Sequence, residues 1–198
     1  YYAAGEKADY YADRLRVDNG SYLFDYIGKD VEIRDLRICF PGRVNVENAT
    51  AAITVALYAG VTPEEIRVAL PLFKGVSRRF DVHAKGDRLI YIDDYAHHPR
   101  EIEASLSSIR EMWPDKRLTV AFQPHLYSRT NDFYPEFAKS LNLADQVILL
   151  DIYPAREQPI PGVTSGLIAD RLTVPFVRVT KEEFPEYVKE NVKEGVFM

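Results

Sequence analysis

Cysteine, methionine and long apolar runs are all scarce in this chain of 198 residues, which has one cysteine and two methionines. The lone Cys39 has no internal partner, so no disulfide holds the fold. Set in an apolar stretch, it reads as a buried thiol suited to a reducing cytoplasm. No segment approaches the roughly 20 apolar residues that span a bilayer, and no charged-then-apolar leader opens the chain. Nor is there a basic field: 25 Lys and Arg stand against 30 Asp and Glu, a net charge of −5. Nucleic acid and anionic membrane surfaces are therefore not expected partners. What remains is ordinary globular usage, 46% hydrophobic and 28% charged, enough for one large or two modest domains. Tyr1-Tyr2-Ala3-Ala4 carries no initiator Met and enters what reads as mid-domain sequence, so a piece of a longer protein is expected.

The hydrophobic period changes along the chain. Alternation predicts strands over 10–17, 21–27 and 31–39, and Asp18-Asn19-Gly20 predicts a hairpin, because Asn and Gly accept the positive φ of tight turns. After Pro41-Gly42, residues Val46, Ala49, Thr50, Ile53 and Leu57 fall on one helical face, with Gly60 placed to end the helix. Thr62-Pro63-Glu64-Glu65 starts a second helix, Thr as cap and Pro in the first turn. From residue 79, strands are expected near 80–84, 89–93, 118–122, 147–150 and 176–179, and helices over 99–112, 132–141, 165–172 and 181–191. A last strand is expected at Val196-Phe197-Met198. Strands alternating with helices predict an α/β fold, a mostly parallel Rossmann-like sheet covered on both faces. Ligands of such sheets sit beyond the carboxyl ends of the strands.

Three loops occupy those ends. Asp93-Asp94-Tyr95-Ala96-His97-His98-Pro99 sets two carboxylates and two imidazoles before a helix whose N-terminus favours an anion. It reads either as a turn with surface histidines or as a functional loop. A metal site needs ligands that converge, whereas the adjacent His97 and His98 tend to point apart. The second loop runs through Gln123-Pro124-His125-Leu126-Tyr127-Ser128-Arg129-Thr130. Arg129 offers a planar fork for a carboxylate or phosphate, or a surface salt bridge; His125 can move a proton near neutral pH, or be a buried hydrogen-bonded ring. The third, residues 151–162, is long and stiffened by proline, suited equally to a substrate wall or to a structural connection. Upstream, Asn45 and Asn48 are three apart on a helix start. Their amides suit the edge of a purine, and capping with solvation is the alternative.

Gly42-Arg43-Val44-Asn45-Val46-Glu47-Asn48, then Phe73-Lys74-Gly75-Val76-Ser77-Arg78-Arg79-Phe80-Asp81, then Asp94-Tyr95-Ala96-His97-His98-Pro99, in that order, resemble the Mur ligases. The resemblance runs from about residue 41 to 172. It implies an ATP-dependent joining of a carboxylate to an amine in peptidoglycan synthesis, with magnesium (Mg2+) and through an acyl phosphate. Within the family, Gln123-Pro124-His125 and Ser128-Arg129-Thr130 resemble the branch that joins L-alanine to UDP-N-acetylmuramate. By motif position the resemblance implies that Asn45, Asn48, Arg79 and Asp94 contact ATP. Likewise Tyr95, His97, His125 and Arg129 line the amino-acid side, His97 and His125 being the catalytic pair. No metal ligand is assigned. Two departures stand out: Val44 replaces the family's usual His, and Leu126 stands where some relatives carry a second Arg.

The resemblance also implies an N-terminal domain for the UDP group and a Gly-x-x-Gly-Lys-Thr or Ser phosphate loop, and neither occurs here. Residues 1–76 are then the C-terminal part of the central ATP-binding domain, and 77–198 the family's Rossmann-like C-terminal domain. The chain alone is expected neither to hydrolyse ATP nor to ligate alanine, and to leave apolar surface exposed in its first unit. Three rivals predict different behaviour. A recycling ligase would attach a ready-made peptide to the same sugar, a phosphoesterase would hold metal on Asp93, Asp94, His97 and His98, and a non-catalytic module would bind an acidic ligand or a protein partner through Arg129 and its neighbours.

Overall fold

A computed structural model describes residues 2–4, 7–18, 20–39 and 42–198. Two compact units result, one of residues 1–81 with 111–113, the other of 82–110 and 114–198. In the first unit, β1 (Tyr2–Ala4) pairs in parallel with β2 (Tyr10–Asp18), and β2, β3 (Ser21–Ile27) and β4 (Glu32–Ile38) form an antiparallel meander. Asn19 of the expected hairpin and Pro41 before the first helix lie outside the described residues. The expected strands appear within a residue of their positions, while β1 had no sequence signal.

The meander buries Tyr22, Phe24, Tyr26, Ile33, Leu36 and Ile38 against Val46, Ala49 and Ile53 of α1 (Arg43–Tyr58) and Ile66 of α2 (Pro63–Ala69). Each such side chain removed from water contributes about 1.5–3 kcal/mol. Thr62 caps α2 in a full capping box: its hydroxyl accepts the Glu65 N–H at 3.3 Å, and the Glu65 carboxylate accepts the Thr62 N–H at 2.8 Å. Cys39, expected to be buried, is exposed. It follows the last residue of β4, where alternation turns Ile38 inward and the next side chain outward. Val55, Val68, Leu72 and Val76 are also exposed, in keeping with the apolar surface expected on this unit.

The second unit is a six-stranded sheet in the order β5 (Asp81–Lys85), β6 (Leu89–Asp93), β10 (Gly195–Phe197), β7 (Leu118–Phe122), β8 (Gln146–Leu150) and β9 (Phe176–Val179). The strands from β6 to β9 in this order are mutually parallel. Both faces are covered. Ile148 and Leu150 pack with Phe184, Tyr187 and Val188 of α6 (Phe184–Asn191), while Val147 and Leu149, opposite by alternation, are fully buried as well. On α3 (Pro99–Met112), Ile102, Leu106 and Ile109 fall on one buried face. The last strand, read from sequence only as a strand, inserts at the sheet's centre.

Three helices differ from expectation at their ends. The expected start of α4 at Asp132 is corrected to Tyr127, so the helix runs Tyr127–Leu141 with Pro135 inside it. Proline removes one backbone donor there, yet the turns before it are held by a cap from a distant loop, described below. Residues 165–172 form only a short α5 (Gly166–Ala169), beyond which bonds such as Arg171 N–H to Ile168 C=O tighten the turn. The start of α6 falls at Phe184, three residues late.

Candidate functional site

Each unit carries a group of predicted residues. In the first unit, Asn45 and Asn48 on the opening turns of α1 and Arg79 line one open cavity of about 630 Å³. Its other walls are apolar, among them Ala49, Ala52, Phe73 and Val76. Gly42 makes room for this arrangement. It sits at φ +103°, and a Cβ there would lie 3.1 Å from the Asn45 side-chain Nδ2, while the Asn45 backbone N–H bonds the Gly42 carbonyl at 2.9 Å. Arg79 is presented by a strained segment: its neighbours Arg78 and Phe80 both have positive φ, 59° and 50°. A largely apolar pocket lined by two side-chain amides and a guanidinium suits a planar heteroaromatic ring bearing an anionic group.

In the second unit the three loops lie at the carboxyl ends of the strands, as the fold class requires. The loop after β6 holds Asp94, whose carboxylate accepts the Ala96 N–H at 2.9 Å and the Ser105 hydroxyl at 2.7 Å. Glu101 accepts the N–H groups of His97 and His98 at 3.0 and 3.2 Å, capping α3 from its first turn. The two rings diverge: His97 lies edge-on to Tyr95 at 5.2 Å, and His98 packs on Phe133 at 5.1 Å. Asp93, Asp94, His97 and His98 therefore do not form a ligand set. Among the described residues no three His, Cys, Asp or Glu side chains converge as a metal requires.

The loops after β7 and β8 are fastened to each other. Leu126 N–H donates to the Tyr153 carbonyl at 3.0 Å, Tyr153 N–H donates to the Pro124 carbonyl at 2.8 Å, and the His125 and Tyr153 rings stack at 5.6 Å. Leu126, the residue that departs from the family pattern, is held at φ +73°, costly for a branched side chain, and its side chain cannot cap α4. Glu157 supplies the missing cap from 29 residues away, accepting the Ser128 N–H at 3.0 Å and the Ser128 hydroxyl at 2.5 Å. These bonds hold the Glu157 carboxyl below its usual range.

Arg129, in the first turn so fixed, sits with Nη1 3.4 Å from Nδ1 of His125. Burial pushes the His125 ring down from its usual value, helped by the nearby charges of Arg129 and His97 and opposed by Glu157. His97, His125 and Arg129 are thus gathered at one strand-end surface, with Tyr95 beside His97. Asp94 lies in this second unit, apart in sequence from the Asn45, Asn48 and Arg79 cavity. Sequence reasoning missed Glu157 and the Tyr153 stack. The available signal was negative: a helix beginning at Leu126-Tyr127 has no capping residue of its own.

The chain matches the family described as Mur ligase, glutamate ligase domain, over residues 78–196. It is 47% identical over 182 residues to the UDP-N-acetylmuramate–L-alanine ligase of Parabacteroides distasonis, covering 92% of this chain and 39% of that protein. It is 50% identical over 172 residues to the same-named ligase of Phocaeicola vulgatus, covering 87% of this chain and 38% of that one. Among solved structures, UDP-N-acetylmuramate-alanine ligase MurC of Thermotoga maritima aligns with a TM-score of 0.81 at 26% identity, over 98% of this chain and 42% of that chain. The chain thus spans about two fifths of the length of the curated relatives it matches. With the matched segment covering most of the second unit, and its strand-end loops carrying the ordered motifs, the chain belongs to the Mur ligase family.

Proposed function

We propose that this chain is the C-terminal part of an ATP-dependent ligase that adds L-alanine to UDP-N-acetylmuramate in the cytoplasm. In this reading, residues 1–76 complete a central ATP-binding domain and residues 77–198 form the C-terminal domain. The observation that carries it is the gathering of His97, His125 and Arg129 at the strand ends, where a fork for a carboxylate stands beside two imidazoles. Arg129 clamps the alanine carboxylate, Tyr95 and His97 flank the amine, and His125 completes the wall.

The first-unit cavity takes the adenine, with Asn45 and Asn48 on its polar edge and Phe73 and Val76 along its faces. Arg79 contacts the rest of the nucleotide, and Asp94 is assigned to ATP by its motif position. ATP supplies the phosphoryl group that converts the muramyl carboxylate into an acyl phosphate. The residues present fit the base but not the triphosphate, for the sequence has no glycine-rich phosphate loop. Among the described residues no three His, Cys, Asp or Glu side chains converge as a metal site, so the phosphates of ATP would be the metal's ligands on this side.

The test mixes this chain with a separately expressed N-terminal and phosphate-loop portion, beside an intact full-length control, with ATP, magnesium, UDP-N-acetylmuramate and L-alanine. Alanine-dependent phosphate release is expected from the control. In that control Arg129→Ala should raise KM for alanine roughly 10- to 100-fold, the worth of one or two charge-assisted hydrogen bonds. An intact enzyme that prefers a tripeptide, or that releases no phosphate on adding alanine, refutes the substrate assignment.

A further inference from the structure

We propose that His97 and His125 carry opposite tautomers and so divide the work: His97 is the base that accepts the amine's proton, and His125 is a donor that holds a substrate oxygen. The inference rests on the ligase reading for its substrate and on geometry for its assignment.

Nδ1 of His97 lies 2.9 Å from the Tyr95 carbonyl oxygen. A carbonyl only accepts, so that nitrogen carries the proton and Nε2 keeps its lone pair. The Glu101 carboxylate, 3.6 Å from the same Nδ1, is a second acceptor facing that nitrogen, in keeping with the proton on Nδ1. Glu101 is itself fixed by the two N–H groups it accepts from His97 and His98. A carbonyl and a carboxylate thus orient His97 as a base, the logic by which an aspartate orients a catalytic histidine in a hydrolase triad.

His125 is arranged the other way. Its Nδ1 faces Arg129 Nη1 at 3.4 Å, and a guanidinium only donates, so Nδ1 holds the lone pair and the neutral ring's proton sits on Nε2. Protonating this ring would turn an N–H toward a cation. Burial, Arg129 from α4 and His97 from the neighbouring loop all favour the neutral form, against Glu157 from the loop after β8. The stacked Tyr153 ring fixes the imidazole plane.

The step balances as follows. One proton of the alanine ammonium passes to Nε2 of His97, freeing the lone pair that forms the C–N bond to the acyl-phosphate carbon. When the tetrahedral adduct collapses, the C–O bond to phosphate breaks and phosphate leaves with the electron pair. A second nitrogen proton leaves with it, and His97 returns its own proton to solvent. Through this step the Nε2–H of His125 donates to the alanine carboxylate, alongside Arg129.

Two measurements test this. Nitrogen-15 NMR of the imidazoles in this chain at neutral pH should find His97 protonated on Nδ1 and His125 on Nε2; the reverse, or one tautomer for both, overturns the assignment. That experiment does not depend on the ligase reading. In the full-length enzyme, His97→Gln, whose amide cannot take a proton, should lower kcat by roughly 10²- to 10⁴-fold and remove the acid limb of the pH profile. His125→Gln keeps an N–H near the former Nε2 and should keep the limb while raising KM for the amino acid. A limb that survives His97→Gln, or vanishes in His125→Gln, overturns the division of roles. A wild-type enzyme that joins no alanine would defeat the ligase reading and leave the tautomers to the NMR result.

Discussion

Replacing Gly195 with alanine strikes the centre of the second sheet, where β10 bonds to β6 on one side and β7 on the other. Gly195 adopts φ +93°, and an added Cβ would lie 2.2 Å from the Arg117 carbonyl oxygen and 3.1 Å from its carbonyl carbon. Both atoms are backbone, and the first contact falls more than 1 Å short of ordinary van der Waals distance. The strand cannot slide to relieve it. Gly195 N–H already bonds Arg88 C=O at 2.8 Å, and Val196 N–H bonds that same Arg117 oxygen at 2.7 Å. The left-handed conformation costs about 1–2 kcal/mol for an L residue, and overpacking adds about 1–3 kcal/mol. A loss of about 2–5 kcal/mol is expected. Gly162→Ala is the control, since it has φ +81° with nothing within 4 Å of the new Cβ, so only the conformational part is lost. Urea unfolding of both variants, with hydrogen exchange at Val196 reporting the second unit, separates the two contributions. If the two losses agree within about 0.5 kcal/mol, the steric argument fails.

Two further outcomes can be measured on the chain itself. Thr62→Ala removes the capping box of α2 and should cost about 1 kcal/mol in urea unfolding, with no change in the second unit's exchange pattern. Glu157→Gln tests the remote cap of α4. Because the folded carboxyl lies below its unfolded value, its contribution is present above the unfolded pKa and is lost as pH falls through the lowered folded one. Protection of the Ser128 amide should therefore weaken in acid in the wild type, and be weak at all pH in the variant; a variant with the wild-type pH dependence would contradict the cap.

The fold was legible wherever a local period carried the information. Ile102, Leu106 and Ile109 on one helical face, and the continuous apolar run of β8, follow from patterning alone, and so does the Thr62 cap. Helix ends were less legible because their caps are not local. Pro135 and the absence of a capping residue before Tyr127 both work against an early start to α4, and the acid that overrides them comes from another loop. Cys39 was misread for a related reason: one residue past a strand end, side-chain alternation counts for more than the apolar character of the stretch.

The sequence alone determined the class of sheet, the three loops that lie at its carboxyl ends, and the residue types able to meet a nucleotide and an amino acid, since these follow from period, turn chemistry and side-chain functional groups. Tertiary structure decided which of those groups meet. It put the last strand in the centre of the sheet, brought Glu157 to Ser128 across 29 residues, and set Tyr95 and Glu101 against one imidazole but Arg129 against the other. Strand order and loop closure are long-range properties, fixed by which buried faces fit together, and the two ring nitrogens of a histidine acquire separate tasks only from the neighbours that such packing supplies.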